Sequence, residues 1–206
     1  MTKIAIFDFG AGNLFNLHQS LLGNGAHSVD IIRSLRELEN YDGLVLPGVG
    51  NFDSAISSMQ KDSALMNTAV DKDMPILGIC LGLEMLFDKS EEGILEGLKI
   101  LDGDVLMLPK IKVKVPHIGW NNLRIVNTGS NLLKGIPQDS WVYFVHSYHI
   151  EPQDDKLIAA VTEYGSKLPV VIERSNLFGT QFHPEKSGKI GAQIMKNFVN
   201  ICEKNE

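Results

Sequence analysis

The sequence is poor in cysteine and in long apolar runs, and each shortage excludes a class of protein. Its two cysteines, Cys80 and Cys202, are too few and too far apart for the disulfide framework of a small secreted domain. No apolar run approaches the ~20 residues that cross a bilayer. The short apolar run near residue 1 ends at Asp8 and is too brief for a signal peptide. We therefore expect a cytoplasmic protein with free thiols and no membrane anchor.

The chain also lacks the basic surplus that nucleic-acid binding requires. It has 25 acidic and 19 basic side chains and a net charge of −6 with neutral histidines, whereas phosphate contacts need clustered Lys and Arg. There is no internal repeat, low-complexity tract or linker rich in Gly, Pro or Ser. The 44% of hydrophobic residues is ordinary for a globular chain. We expect one domain over residues 1–206 that binds neither nucleic acid nor membrane.

Apolar runs alternate with helical patterns in the first half of the chain. Residues 4–7, 29–32, 43–46 and 76–79 are predicted strands, and apolar residues recur at helical spacing over 14–22, after Asn51 and from Leu83 to Phe87. Continuous apolar strands separated by helices indicate a parallel sheet that is covered on both faces. Asn51 is a candidate helix cap.

The second half of the chain is richer in strands. Predicted strands cover residues 110–115, 141–145, 157–162, 170–173 and 177–182, and a helix over 190–201 follows. The predicted fold class is therefore α/β: an open, mostly parallel sheet with helices on both faces, plus an antiparallel portion.

The segment Gly78-Ile79-Cys80-Leu81-Gly82 is the strongest chemical signal. A cysteine at a sharp strand-to-helix turn is a nucleophile elbow, and flanking glycines let other backbone pass close by. The start of a helix lowers a thiol pKa and favours the thiolate. The Leu81 amide would then face a developing oxyanion. The alternative is a structural cysteine buried between strand and helix.

A second motif, Gln181-Phe-His-Pro-Glu185, follows the last predicted strand. A Cys–His pair needs a third group to orient the imidazole, and Glu185 lies two residues beyond His183. The alternative is a surface histidine beside a solvated glutamate. Combined with the cysteine elbow, the motif favours a catalytic role.

A third segment, Pro47-Gly-Val-Gly50, forms a tight loop after a predicted strand. Open α/β sheets bind ligands at the carboxyl ends of such strands. The alternative is a plain turn, and a phosphate loop is disfavoured because no Gly-Lys-Ser/Thr follows. We find no spacing of His, Cys and Asp that predicts a metal site.

Together these motifs resemble the class I glutamine amidotransferases. The resemblance rests on the Cys80 elbow followed by the His-Pro-Glu motif, whose His183 lies 103 residues after Cys80. Segments 9–17, 46–50, 116–121, 144–148 and 182–187 are similar to the glutaminase subunits of imidazole glycerol phosphate synthases. The similarity covers essentially residues 1–200.

The resemblance implies that Cys80 attacks the side-chain amide of glutamine, that His183 acts as general base and acid, and that Glu185 orients His183. Backbone amides of Val49 and Leu81 would form the oxyanion hole. The implied substrate-binding positions are Gly50, Glu84, Glu92, His146, Ser147 and Tyr148. The implied partner-interface positions are Asn13, Asn16, Trp120, Tyr143 and Lys186; from the residues alone, these are interpreted as ordinary surface residues and core aromatics.

The resemblance also implies a partner and no cofactor. Ammonia would pass to a cyclase subunit, a (β/α)8 barrel that forms a heterodimer with this chain. The cyclase would make imidazole glycerol phosphate and AICAR in histidine biosynthesis.

One residue departs from the family pattern. The family usually has Gln four residues after the nucleophile, where it contacts the substrate, and this chain has Glu84. Two alternatives follow: a paralogue that supplies ammonia to a sugar-modifying synthase in surface-polysaccharide biosynthesis, or a catalytically impaired regulatory subunit.

Overall fold

A computed structural model of the chain describes residues 1–10, 14–48, 50–111 and 113–203. The strands are β1 (Lys3–Phe7), β2 (Ser28–Ile32), β3 (Gly43–Leu46), β4 (Ile76–Ile79), β5 (Lys89–Ser90), β6 (Gly103–Met107), β7 (His117–Ile125), β8 (Ser140–His146), β9 (Tyr148–Pro152), β10 (Ile158–Glu163), β11 (Lys167–Arg174) and β12 (Leu177–Thr180). The α-helices are α1 (Phe15–Gly23), α2 (Phe52–Met59), α3 (Ser63–Asp71), α4 (Leu81–Glu84) and α5 (Gly188–Glu203). Short 3₁₀ helices cover Leu35–Asn40, Gln60–Asp62, Asp155–Leu157 and Pro184–Lys186.

The main sheet is parallel on one side and antiparallel on the other. Its order is β2-β1-β3-β4-β12-β11-β10-β7-β8. The strands β2, β1, β3, β4 and β12 run parallel, and those from β12 to β8 pair antiparallel. This confirms the predicted α/β class. The parallel strands end on the edge where the Cys80 and Gln181–Glu185 segments begin.

Helices cover both faces of the parallel region because its strands are apolar on both sides. In β1, Ile4 and Ile6 pack into the cluster that contains the buried residues of α1 and α5. The alternate residues Ala5 and Phe7 pack with α2 and α3 on the opposite face. The predicted bounds of β3 and β4 are confirmed, and the Asn51 side chain accepts a hydrogen bond from the Ser54 amide at the start of α2.

A second sheet, β5-β6-β9, packs beside the first, and the sequence patterns did not predict it. The strand β6 pairs antiparallel with β9, so that Met107 lies opposite Tyr148. Burial raises the pKa of Tyr148, which lies close enough to Glu92 and Glu84 for their charges to raise it further. None of the helices described in the structure is both long enough and apolar enough to span a membrane.

The strand predicted over residues 110–115 is wrong. The described part of this segment forms turns, and Ile111 is fully exposed. Proline at positions 109 and 116 flanks it and provides no amide hydrogen for a ladder. The described residues of this segment therefore form no strand, and β7 begins only at His117.

The helix predicted after Cys80, from the apolar pattern between Leu83 and Phe87, is much shorter than expected. It ends at Glu84, because the carbonyls of the next residues bond to a returning segment. Leu98 donates to the Met85 carbonyl, and Ile100 and Leu101 donate to the Leu86 carbonyl, at 2.8–2.9 Å. These long-range hydrogen bonds replace the helical ones.

Candidate active site

Cys80 lies at the sharp turn between β4 and α4. Its backbone has φ of +47° and ψ of −106°, a conformation that costs a non-glycine residue of order 1–3 kcal/mol and occurs mostly at functional sites. The Cys80 amide donates to the Thr180 carbonyl at 2.7 Å, which fixes the elbow to the end of β12. Its side chain is 6% exposed, and Sγ lies 3.8 Å from the Val145 carbonyl oxygen.

Glycines make this elbow possible, as the sequence predicted. A Cβ on Gly78 would lie 2.6 Å from the Gly82 carbonyl oxygen, and a Cβ on Gly82 would collide with the Leu46 carbonyl. Real side chains do not tolerate such approaches. The spacing of these glycines therefore reflects backbone segments that pack closely around the cysteine.

The expected lowering of the thiol pKa is wrong for this arrangement. Burial raises the Cys80 pKa well above its ordinary value, and the carboxyl group of Glu84 raises it further. Hydrogen bonds from the Leu81 backbone and the Gln181 side chain act in the opposite direction but are smaller. Desolvation outweighs the start of a four-residue helix. The resting cysteine is therefore a thiol, and a base must remove its proton.

His183 and Glu185 form the pair that the sequence predicted. His183 Nδ1 lies 2.8 Å from Glu185 Oε1, and the side chains of the two residues are 1% and 9% exposed. Because the glutamate accepts from Nδ1, the neutral imidazole leaves Nε2 as its acceptor. Nε2 is buried and makes no hydrogen bond to any described residue. This nitrogen can take a proton.

The cysteine and the histidine converge over Gly48. A Cβ at Gly48 would lie 2.9 Å from the Cys80 Cβ and 3.0 Å from His183 Cε1. Both side chains therefore border the same point above Gly48. The arrangement of thiol, imidazole and carboxylate matches the one that activates a nucleophile in acyl transfer.

Leu81 lies beside the cysteine sulfur, and Glu92 lies on a further segment near Glu84. Leu81 is the first residue of α4, and its backbone hydrogen-bonds to the cysteine sulfur. Glu92 Oε2 accepts from the Phe52 amide at 3.1 Å, and burial raises the Glu92 pKa. Gly50 has φ of +130°. Two predicted positions, Val49 and Asn13, lie outside the described residues.

The 146–148 segment brings its backbone to the site through a buried histidine pair. His146 Nδ1 donates to the Tyr148 carbonyl at 2.6 Å, and His146 Nε2 lies 3.0 Å from His117 Nδ1. Burial lowers the pKa of His146 to about 3 and that of His117 to about 4, so both are neutral. The Ser147 carbonyl accepts from the Leu108 amide. These hydrogen bonds occupy the side chain of His146, whereas the expected contact with substrate concerns the backbone of residues 146–148.

Glu84 is buried beside the nucleophile, and its partner is a residue that we did not predict. Gln181 Nε2 donates to Glu84 Oε1 at 2.9 Å and approaches Cys80 Sγ at 3.7 Å. Burial raises the Glu84 pKa to about 8. Gln181 belongs to the same motif as His183. Glu84 is 97 positions away in the sequence, so no local pattern predicts that the two side chains meet.

Of the predicted interface residues that the structure describes, Tyr143 is half-buried and the others are exposed. Asn16 on α1 and Lys186 beside the triad are exposed. Trp120 is 52% exposed, and its ring lies 5.9 Å from that of Tyr143, with an edge-to-face geometry. Within the described ranges, no three His, Cys, Asp or Glu side chains are placed to hold a metal ion.

Comparisons with known proteins find related sequences. The family model for class I glutamine amidotransferases matches residues 5–202. Two curated relatives carry the name imidazole glycerol phosphate synthase subunit HisH. The one from Synechococcus sp. (strain JA-3-3Ab) is 44% identical, over 97% of this chain and 94% of its own length. The one from Methanocaldococcus jannaschii is 44% identical, over 96% and 99%.

A solved structure shows the same architecture. A putative GMP synthase protein from Thermoplasma acidophilum superposes with a TM-score of 0.75 at 25% identity, covering 99% of this chain and 95% of that one.

Proposed function

The chain belongs to the class I glutamine amidotransferase family, and we propose that it is the glutamine-hydrolysing subunit of an imidazole glycerol phosphate synthase. In this role residues 1–206 act as one glutaminase domain. Cys80, His183 and Glu185 carry out the hydrolysis.

The first half-reaction forms a thioester on Cys80. His183 Nε2 takes the thiol proton as the sulfur attacks the side-chain amide carbon of glutamine. The carbonyl oxygen becomes an oxyanion, which the Leu81 amide and the Val49 amide would stabilise. His183 then returns the proton to the leaving nitrogen, the C–N bond breaks, and ammonia departs. Glu185 holds the imidazole and stabilises its charged form.

The second half-reaction frees the enzyme. His183 Nε2 takes a proton from water, which attacks the thioester carbon. The C–S bond breaks, Cys80 regains a proton and glutamate leaves. Glu92 would hold the amino group of the substrate, and backbone groups of His146, Ser147 and Tyr148 would line its carboxylate. The remaining substrate positions are Gly50 and Glu84.

In this proposal the released ammonia passes to a second subunit. A cyclase subunit with a (β/α)8 barrel receives it as part of a heterodimer, docking against Asn13, Asn16, Trp120, Tyr143 and Lys186. Neither half-reaction requires a cofactor. Both cysteines are free thiols, which suits a reducing compartment such as the cytoplasm.

One observation carries the proposal: Cys80 and His183 converge over Gly48 while Glu185 holds the far side of the imidazole. A regulatory subunit with an impaired site does not need this arrangement. The names of the relatives above favour histidine biosynthesis over a sugar-modifying pathway.

The test uses the complex with the cyclase partner. Cys80→Ser should lower glutamine-dependent product formation by at least ~10³-fold, because the hydroxyl is a far weaker nucleophile at neutral pH. Ammonia-dependent formation should persist. Cys202→Ala, which removes the other thiol, is the matched control and should retain glutamine turnover. Normal glutamine turnover in the serine variant would refute the assignment of Cys80.

A further inference from the structure

Gln181 lies between Cys80 and Glu84 and contacts both. It directly follows β12, and its side chain is fully buried. Its Nε2 atom is 2.9 Å from Glu84 Oε1 and 3.7 Å from Cys80 Sγ. An amide nitrogen carries two hydrogens, so this one group can serve the carboxyl and the sulfur at once. A change in the charge of Glu84 is therefore transmitted to the nucleophile.

The other end of this amide has no partner. Gln181 Oε1 is buried and makes no hydrogen bond to the described residues, which is unfavourable for a polar atom. In this orientation Nε2 can donate to the carboxylate of an ionised Glu84 or to the carbonyl oxygen of a protonated one. The amide therefore keeps its donor beside Cys80 in both protonation states, and only the charge of Glu84 changes.

The burial of Glu84 favours the acid at neutral pH. Its pKa rises to about 8, mainly because burial disfavours the charge. A carboxylic acid is neutral and both donates and accepts hydrogen bonds, as an amide does. Once ionised, Glu84 places a negative charge near a sulfur that must itself lose a proton to attack, which raises the Cys80 pKa.

We propose that Glu84 and Gln181 form a proton-dependent positioning pair for Cys80: glutamine is attacked when Glu84 carries its proton, and ionisation of Glu84 suppresses the attack. The inference rests on the proposed function, because it concerns the same nucleophile. It explains how a glutamate can occupy a position where the family usually has Gln.

Four other titratable groups surround the pair. Glu92 comes from the 91–98 loop, Tyr148 from β9, and His183 and Glu185 from the turn after β12. Glu84 and Glu185 are the carboxyl groups that raise the Cys80 pKa, whereas Glu92 acts on Glu84. Removing the charge of Glu84 should therefore affect the thiol more than removing that of Glu92.

The first measurement is the pH profile of Cys80 alkylation by iodoacetamide. The full chain carries Cys202→Ala, so that one thiol remains. Above pH 8, Glu84→Gln should react about tenfold faster than the parent, because the repelling charge is gone. Gln181→Met should react more slowly, because the thiolate loses a donor.

Two matched controls remove a carboxyl group elsewhere. Glu96→Gln changes a charge on an exposed side chain that pairs with Lys99, and it should follow the parent profile. Glu92→Gln should shift the profile less than Glu84→Gln does. A Glu84→Gln profile that coincides with the parent would overturn the proposal, even if Gln181→Met fails to fold.

The second measurement is glutamine kcat/KM against pH in the complex with the cyclase. The parent should lose activity above about pH 8, and Glu84→Gln should not. If the alkylation profiles shift as expected but no form hydrolyses glutamine, the proposed function fails, and only the effect of the pair on the Cys80 thiol stands. If glutamine is hydrolysed and neither profile moves, with only the melting temperature changed, the pair fails and the proposed function stands.

Discussion

The nucleophile segment, residues 78–84, and the base segment, residues 181–187, meet at one site but are held in place by different physics. Close backbone packing positions the first: Cys80 has a positive φ, and Gly78 and Gly82 leave no room for a Cβ. Hydrogen bonds position the second: Ser187 Oγ donates to the His183 carbonyl at 2.7 Å, and the His183 amide donates to the Tyr143 carbonyl at 3.0 Å.

Because of this difference, changes in the nucleophile segment should mainly lower stability, and changes in the base segment should mainly impair catalysis. Steric constraint at the elbow cannot be relieved by a small side-chain movement, so a changed glycine should damage the fold. The base segment has an ordinary backbone, with φ of −96° at His183. A changed side chain there should leave the fold intact and damage the chemistry.

The largest expected effect is on turnover, at Glu185. Glu185→Gln keeps the size of the side chain but removes the charge that stabilises a protonated His183. We expect kcat for glutamine to fall on the order of 10³-fold, with little change in the unfolding free energy. Steady-state kinetics and urea unfolding measure the two quantities. Glu163→Gln, on an exposed residue of β10, is the control. A large loss of stability with normal kcat would contradict the comparison.

The second effect is on stability, at Gly82. Gly82→Ala places a Cβ against the Leu46 carbonyl of β3, and backbone there cannot yield without disturbing the sheet. We expect the unfolding free energy to fall by roughly 3 kcal/mol. The matched control is Gly23→Ala in α1, where a Cβ meets nothing within 4 Å and the change should be neutral or stabilising. Equal stabilities of the two variants in urea would show that packing does not constrain the elbow.

This division also explains which parts of the molecule the sequence patterns could predict. The strands β3 and β4 were predicted to the residue, because they are continuous apolar runs bounded by turn residues. The Cys80 elbow and the His183–Glu185 pair were predicted, because each is contained within a few residues of chain.

Contacts between distant segments were not predicted. The Gln181–Glu84 hydrogen bond joins residues 97 positions apart, and the early end of α4 depends on carbonyls that bond to residues 98–101. The raised pKa of Cys80 has the same origin, because the burial that causes it comes from the assembled fold.

The smallest expected effect is a loss of stability in acid. It concerns His146, in the strand β8 that lies beside the base segment. His146 is buried with a pKa of about 3, whereas a histidine in the unfolded chain titrates near 6.5. Between these values the unfolded state binds more protons than the folded state, so stability falls as the pH drops below about 6.5, by at most about 1.4 kcal/mol per pH unit from this residue. Above pH 6.5 this contribution is constant.

Urea unfolding at pH 6.5 and 5.5 measures the slope. His146→Gln should reduce it, because Gln does not titrate, and His27→Gln, on an exposed residue, should keep it in full. His146 lies near His183, and a positive charge on His183 disfavours protonation of His146. Acid should therefore loosen the hydrogen-bonded base segment while the closely packed elbow stays in place. Hydrogen exchange at pH 5.5 distinguishes the two sides: amides of β8 and the base segment should lose protection before those of β3 and β4. Loss of protection in β3 and β4 first would mean that the elbow, and not the base segment, is the weaker side of the site.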